Sequence, residues 1–417
     1  MGSRMNRRRT PGSERPRVVV AGSGVAGSLI TAGLADRDDI ELVCLERTGP
    51  QDHAEAGTGL NIGPNAMACL ALHLPASAEA IIANSLPWRR WEISLTDGRA
   101  LMDLQLDSVA DNPGIRIRWA ELYALLRQPI GGHVVFNAEL TGCGQDEAGV
   151  SVTWKDRASG SEHVIEDINL LIAGDGRYSL IREHVLGGPE TPHFLGVCLY
   201  RVLFPAGPDC PIDDYGQWFN GANRLLAFRV PGDFIYCAGS FPIPAGDGIP
   251  EAMKQPAFLG AAYQPADGEL SSQAAYLVGA IQNHADRIHW ARLQEGSVAF
   301  GREPGILLVG DSAHPMVPTL GQGATQACED ACVVVDEIRA ALAAARPLTT
   351  VPARVEQRRA ERVRFVMDFS REATDTMLAG ADPVAGTLKK TEPPFQRKLE
   401  RLYRDIPRPL PRKGAPN

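Results

Sequence analysis

The sequence predicts an α/β protein: a parallel sheet assembled from separated stretches of chain, a second and mainly antiparallel sheet, and helices at the C-terminus. Three observations carry this. Short β-branched or leucine-rich runs that end in glycine recur as RVVVAG, LLIAG and ILLVG at 17–22, 170–174 and 306–310, the pattern of strands buried on both faces. WEISLTDGRALMDLQL alternates apolar and polar residues around an Asp-Gly turn, the mark of an antiparallel hairpin. Long helical periods fill the last third, in ATQACEDACVVVDEIRAALAAA and VEQRRAERVRFVMDFSREATDTML.

The chain of 417 residues is 44% hydrophobic and 22% charged, which fits a soluble globular protein of two or so domains. Residues 1–16 are expected to be a flexible basic leader; MGSRM reads as a cloning remnant, and Arg4, Arg7, Arg8, Arg9, Arg15 and Arg17, which crowd the N-terminus, as a solvated tail. A net charge of -8 supplies no overall positive field for nucleic acid. No uncharged apolar stretch reaches the ~18 residues that a membrane span needs, so no stable membrane association and a cytoplasmic location are expected. The eight cysteines form no CxxC pair and no zinc-ligand spacing, so neither a metal site nor a disulfide framework is indicated; Cys328 and Cys332 share a helical face as core residues.

RVVVA, GSGVAGSLITAGLA and IELVCLE (40–46) read in order as strand, helix and strand, a βαβ unit. GLNIGPNAMACLALHL leads into a helix, and HVVFNAELTGCGQDEAGVSVTWKD repeats the hairpin signal. INLLIAGDG (168–176) and GILLVGDSAH (305–314) return to the parallel sheet, while GVCLYRVLF, NRLLAFRV and DFIYCAGSF build the antiparallel one. The first domain is therefore discontinuous, with pieces at 17–75, 100–184 and 291–345; the second sheet takes 76–99 and 185–290, and 346–417 holds helices and a proline-rich tail.

Gly22, Gly24 and Gly27 in GSGVAG stand between a strand and a helix. Gly22 allows a tight turn, Gly24 lets backbone N–H groups approach a pyrophosphate, with Val25 and Ala26 in the opening helical turn, and Gly27 allows the helix to pack closely. Glu46, followed by Arg47, ends the next strand 19 residues beyond Gly27, where a carboxylate accepts hydrogen bonds from an adenosine ribose. Two further motifs follow. LLIAGDGRYSLIR contains Asp175 and Gly176, and ILLVGDSAHPMVPTLGQGATQACEDA contains Gly310, Asp311, Pro318, Gly321, Gly323 and Ala324. Asp311, at the end of a buried strand, is placed to hold the sugar chain of a flavin. The Gly321–Ala324 turn exposes N–H groups at a helix start that favour a negatively charged reduced ring, and the spacing between the two is expected to match the reach of the cofactor.

In order and spacing the three motifs resemble the fingerprints of the single-component FAD-dependent aromatic hydroxylases, the para-hydroxybenzoate hydroxylase-like flavoprotein monooxygenases, over residues 17 to about 345. The resemblance implies a discontinuous FAD domain of the GR2 type and a surface on which NAD(P)H docks transiently, since only one GxGxxG is present. It also implies that Gly57, Thr58 and Gly59 run beside the flavin and that Pro318 forms a neutral wall there. The family's phosphate-binding arginine is replaced by Trp119, with Arg118 one residue earlier as the substitute.

The implied reaction uses NAD(P)H and dioxygen to hydroxylate a small electron-rich aromatic or heteroaromatic ring through a flavin hydroperoxide. Arg229, Tyr200, Arg201 and Trp218 on the second sheet are the candidate substrate residues, with Tyr215 a further one. A flavin-dependent reductase or halogenase on the same fold, or a non-enzymatic FAD-binding redox module, stays open, although PWRRWEI is not the WxWxIP of a halogenase. A monomer or a homodimer is expected.

Overall fold

The computed structural model describes residues 5–7, 15–52, 58–146, 149–244, 248–301 and 304–411. Arg17–Ala21 is the centre of a five-stranded parallel sheet, ordered Ile306–Leu308, Leu170–Ala173, Arg17–Ala21, Glu41–Leu45, Val134–Val135. All five residues of the central strand are buried, as a strand covered on both faces must be. The helix Val25–Leu34 completes the expected βαβ unit and packs against the long helix Gln322–Ala343. The edge strand was hidden in the hairpin-like run HVVFNAEL. Val134 and Val135 pair with Cys44 and Leu45, and the chain then turns at Asn137, with φ 60°, into the strand Ala138–Asp146.

The second sheet has seven strands, ordered His289–Glu295, His193–Pro205, Phe234–Pro242, Asn223–Val230, Tyr215–Asn220, Arg90–Leu95, Ala100–Gln105. It is antiparallel except between Tyr215–Asn220 and Arg90–Leu95. The hairpin 90–105 thus joins this sheet whole: the boundary expected at 99/100 falls at its turn, between two paired strands, and the one at 290/291 inside His289–Glu295. Nor is the whole leader a free tail: Met5–Arg7 pairs in parallel with 163–165.

Period-two alternation gives the seven-stranded sheet two different faces. Leu226, Phe228 and Val230, with Tyr215, Phe219 and Ala238, join the core that contains the parallel sheet. Leu225, Ala227, Trp218, Ile235 and Cys237 form a separate core with the helices Pro256–Tyr263 and Ser272–Asn283. A small sheet of Gly59–Ile62, Gly114–Arg118 and Leu86–Trp88 lies where the two large ones meet. There Gly59 touches the second sheet so closely that an added Cβ would stand 2.6 Å from Cβ of Tyr236. Val351–Glu372 runs along Gln322–Ala343 and continues through the turn Ala373–Met377 to the helices Pro383–Lys390 and Pro393–Arg404. None of the described helices is long and apolar enough to cross a membrane.

The docking of Val25–Leu34 on the parallel sheet depends on Gly27, because a methyl group there would lie 1.9 Å from the Gly22 carbonyl oxygen. Gly27→Ala is expected to cost about 1–3 kcal/mol of stability, the usual range for overpacking. Gly279→Ala, in a helix with nothing within 4 Å of the added carbon, is expected to gain about 0.5–1 kcal/mol. Urea unfolding of both variants checks the pair.

Candidate cofactor and substrate site

The loop Gly22–Gly24 lies at the C-terminal edge of the parallel sheet, where dinucleotide folds meet their ligands. Gly22 has φ 89° and its N–H donates to the Leu45 carbonyl at 2.7 Å; an added Cβ would stand 2.6 Å from the Gly174 carbonyl oxygen. Gly24 caps the helix, and an added Cβ there meets nothing nearer than 3.8 Å, so its backbone is open to a ligand. Val25 and Ala26 form the first, buried turn.

Glu46 is buried. Its Oε2 accepts from Ser23 N at 2.7 Å and Ser23 Oγ at 2.9 Å, and its Oε1 from Thr48 N at 2.9 Å and Thr48 Oγ1 at 2.7 Å. Burial alone would raise its pKa, but the bonds from Thr48 and Ser23 and the charge of Arg127, 3.3 Å away, outweigh burial and lower it. Arg47 is exposed beside it.

Arg127 and Tyr123 are site neighbours that the motifs did not reveal. Arg127 donates to the Ser23 carbonyl at 3.4 Å and lies 4.9 Å over the Tyr123 ring. The Tyr123 hydroxyl, pushed up to about 12 by burial, is 3.9 Å from a Cβ built on Gly24. Both stand on the helix Trp119–Arg127, four and eight residues after Trp119, and that helical spacing was the available signal. Arg118 pairs with Glu121 and lies 5.0 Å over Phe234, whereas Arg127 is the arginine beside Glu46 and Ser23. Trp119 packs edge-on against Tyr123, and its backbone N–H donates to the Thr58 carbonyl at 2.9 Å. Gly57 lies outside the described residues.

Asp175 ends the adjacent strand's loop, followed by Gly176 with φ 84° and open space around it. Burial raises the Asp175 pKa, bonds from Ser179 and nearby backbone N–H groups offset this only in part, and its Oδ1 is buried without a partner. In the third motif Gly310, with φ 60°, donates its N–H to Asp330 Oδ2 at 2.8 Å. Asp311 Oδ1 lies 3.7 Å from a Cβ built on Gly323. The acid and the glycine turn are therefore neighbours, not separated by the length of a cofactor as their spacing suggested. Gly321, with φ 65°, fits under the Asn61 side chain and starts Gln322–Ala343, with Ala324 in the first turn. Pro318 is exposed and opens the turn Pro318–Leu320.

This edge fits a dinucleotide. Gly24, Gly176 and Gly323 leave backbone accessible, and buried Asp175 Oδ1 lacks a hydrogen-bond partner. Among the described residues no group of three or more potential metal ligands occurs.

The expected substrate residues divide between the two faces of the seven-stranded sheet. Arg229 bonds to the Ile212 carbonyl at 3.2 Å and pairs with Asp233, on the face turned away from the parallel sheet. Tyr200 donates to the Tyr263 hydroxyl at 2.7 Å within the second core, and Trp218 is buried in that same core. These three are corrections, and the reason is parity: one step along a strand changes the face. Arg201 is exposed and alternates with buried Tyr200, so it shares the face of Leu203 and Tyr236.

The inward face carries a cation that the sequence reading passed over. Arg224, one strand position from the second core, is 5% exposed; its Nε has no hydrogen-bond partner, and it forms no ion pair among the described residues. Burial lowers its pKa, and Tyr215, Tyr236 and Tyr263 are its polar neighbours. Gln217 Nε2 donates to the Tyr215 hydroxyl at 3.0 Å.

Known proteins resemble this chain in sequence and in fold. A 3-amino-4-hydroxybenzoate 2-monooxygenase of Streptomyces platensis is 30% identical over 374 residues, covering 86% of this chain and 88% of its own. A 6-hydroxynicotinate 3-monooxygenase of Bordetella bronchiseptica is 26% identical over 336 residues, 77% of this chain and 82% of its own. Among solved structures, Klebsiella pneumoniae HpxO with FAD and uric acid superposes with a TM-score of 0.79 at 21% identity, over 94% of this chain and 97% of its own. No protein-family model matches the chain. The chain belongs to the FAD-dependent flavoprotein monooxygenases that hydroxylate aromatic or heteroaromatic rings. FAD is its cofactor and NAD(P)H its reductant.

The raised pKa of Asp175 has a thermodynamic sign. A carboxyl whose folded pKa exceeds its unfolded value of 3.8 costs stability when ionised, and that cost disappears below the unfolded value. Asp175→Asn is therefore expected to raise the melting temperature of FAD-free protein at pH 7, with the gain closing as the pH falls toward 3.8. Thermal unfolding across that pH range checks it.

Proposed function

We propose that the substrate is a small aromatic or heteroaromatic ring carrying an anionic group, and that Arg224 holds that group. One observation carries the reading: a buried guanidinium without an ion-pair partner among the described residues, on the sheet face turned toward the FAD domain. An isolated buried charge is costly, and a ligand anion that pairs with it removes the cost. Arginine suits a planar carboxylate because two N–H groups can bond to it in parallel. The relatives' substrates point the same way, since 3-amino-4-hydroxybenzoate and 6-hydroxynicotinate both bear a carboxylate.

FAD, when bound, takes electrons from NAD(P)H and activates dioxygen. The protein's residues orient it and keep water out. In this reading Glu46 receives the adenosine ribose beside Arg47, and Gly22, Gly24, Val25, Ala26 and Gly27 bring backbone N–H groups to the pyrophosphate, with Arg127 near that end. Thr58, Gly59, Asp175 and Gly176 flank the cofactor. Gly310 and Asp311 hold the sugar chain, and Gly321, Gly323 and Ala324 present N–H groups to the ring's pyrimidine edge, where a helix start favours negative charge. Pro318 walls the reacting side. Tyr236, which touches Gly59, lies in the same face of the sheet as Tyr215. NAD(P)H docks without a dinucleotide domain of its own; a cytoplasmic monomer or homodimer suffices for this chemistry.

The test is a screen of hydroxybenzoates, aminohydroxybenzoates, hydroxynicotinates and their neutral counterparts for stimulated NAD(P)H and oxygen consumption. Anionic rings are expected to stimulate, and stimulation by neutral rings alone would contradict the reading. Arg224→Gln is expected to raise KM for the active compound roughly 30-fold or more, the factor of a lost buried charge pair. Arg229→Gln should leave KM within about twofold, as expected of a residue paired with Asp233 on the other face.

A further inference from the structure

Beneath the flavin edge lies a charge network that none of the three motifs explains. Arg359, on the C-terminal helix Val351–Glu372, is fully buried. Its Nε donates to Asp330 Oδ1 at 2.8 Å, one terminal nitrogen to Glu329 Oε2 at 2.7 Å, and the other to Gln326 Oε1 at 2.7 Å. The two acids lead back to the cofactor loops by separate routes. Asp330 Oδ2 accepts the Gly310 N–H at 2.8 Å and is 2.6 Å from His314 Nε2. Glu329 Oε1 accepts from Asn65 Nδ2 at 2.6 Å, and Asn65 opens the helix that follows Gly59–Ile62. Gly63 N, beside it, donates to Thr325 Oγ1 at 3.0 Å in the first turns of Gln322–Ala343.

We propose that Arg359 is a positioning residue for FAD: through Asp330 it holds Gly310, and hence Asp311, and through Glu329 and Gln326 it fixes the start of the 322–343 helix against the 59–65 segment. Three features support this. The network joins the three chain segments expected around the flavin ring and sugar chain, and Arg359 is the group common to their links. Gly310 sits at a positive φ, so the Asp330 bond to its N–H holds a backbone conformation that turns Asp311 toward Gly323. Finally, burial would raise the pKa of both acids, but Arg362 and Arg359 hold Glu329 down to about 2, and His314 and Arg359 keep Asp330 well below its ordinary value. Both therefore remain anionic acceptors. Arg362 alone does not replace Arg359, because its bonds go to Glu329 and the Leu402 carbonyl.

The test measures FAD dissociation constants by flavin fluorescence and the midpoint potential of bound flavin, with thermal melting of FAD-free protein as the control. Arg359→Met is expected to weaken FAD binding at least about tenfold, the loss of one charge-assisted bond, and to make the potential more negative because the helix start is no longer aligned with the ring. Arg359→Lys should recover part of both. Should Arg359→Met fail to fold, Asp330→Asn decides: it keeps the shape and the oxygen facing Arg359 but sets an amide N–H against Gly310 N–H, and the same weakening and negative shift are expected. Wild-type affinity and potential in a folded Arg359→Met, or in folded Asp330→Asn where it stands in, would overturn the proposal and leave Arg359 a strut of the core. These readouts contain no substrate, so they are independent of the role given to Arg224.

Discussion

Charges taken wholly out of water hold together the edge of the protein where the cofactor belongs. Arg359, Glu329 and Asp330 are completely buried, and Arg362 nearly so. Such ion pairs are a poor source of net stability, because desolvation cancels most of the attraction. Their value here is geometric: with every carboxylate oxygen of Glu329 and Asp330 bonded, these links tolerate one arrangement. The glycine loops above them have few side chains of their own to fix their path, and the network supplies that constraint from below, across more than 290 residues of sequence between Asn65 and Arg359.

Much of the cofactor half was legible in the sequence because it is written in local terms. A strand buried on both faces is a continuous apolar run, a turn at positive φ needs glycine, and an acid at a strand end sits within a few residues of both. Gly22, Gly27, Gly310 and Gly321 each meet a steric demand that no other residue satisfies as well. Asp311 and Gly323 proved to be neighbours rather than spaced apart, because the Pro318–Leu320 turn folds the chain back between them. Arg127 and Tyr123 escaped because their link to Glu46 and Gly24 is made through tertiary packing of one helix, not through a motif.

The substrate half was less legible for a reason of periodicity. Strand alternation shows that Arg229 opposes Leu226, Phe228 and Val230, but both faces of this sheet are buried, so alternation alone does not say which face meets the flavin. The inner face proved to be the one with Arg224. The C-terminal turn closes that side of the molecule: Thr374 Oγ1 lies 2.7 Å from Thr319 Oγ1, next to Pro318, and Ser240 Oγ lies 3.3 Å from Met377 Sδ. Ser240 is the cross-strand partner of Arg224. One short segment thus touches both the Pro318–Leu320 turn and the strand pair that carries the unpaired cation.

In the proposed arrangement FAD at the parallel-sheet edge faces an anionic ring anchored at Arg224. A crystal structure of the protein soaked with FAD and 3-amino-4-hydroxybenzoate tests it most directly. The flavin is expected along Gly24, Glu46, Asp311 and Gly323, with the ligand ring beside it and the carboxylate on the Arg224 guanidinium. A ring whose carboxylate is held elsewhere, with Arg224 still unpaired, would contradict it.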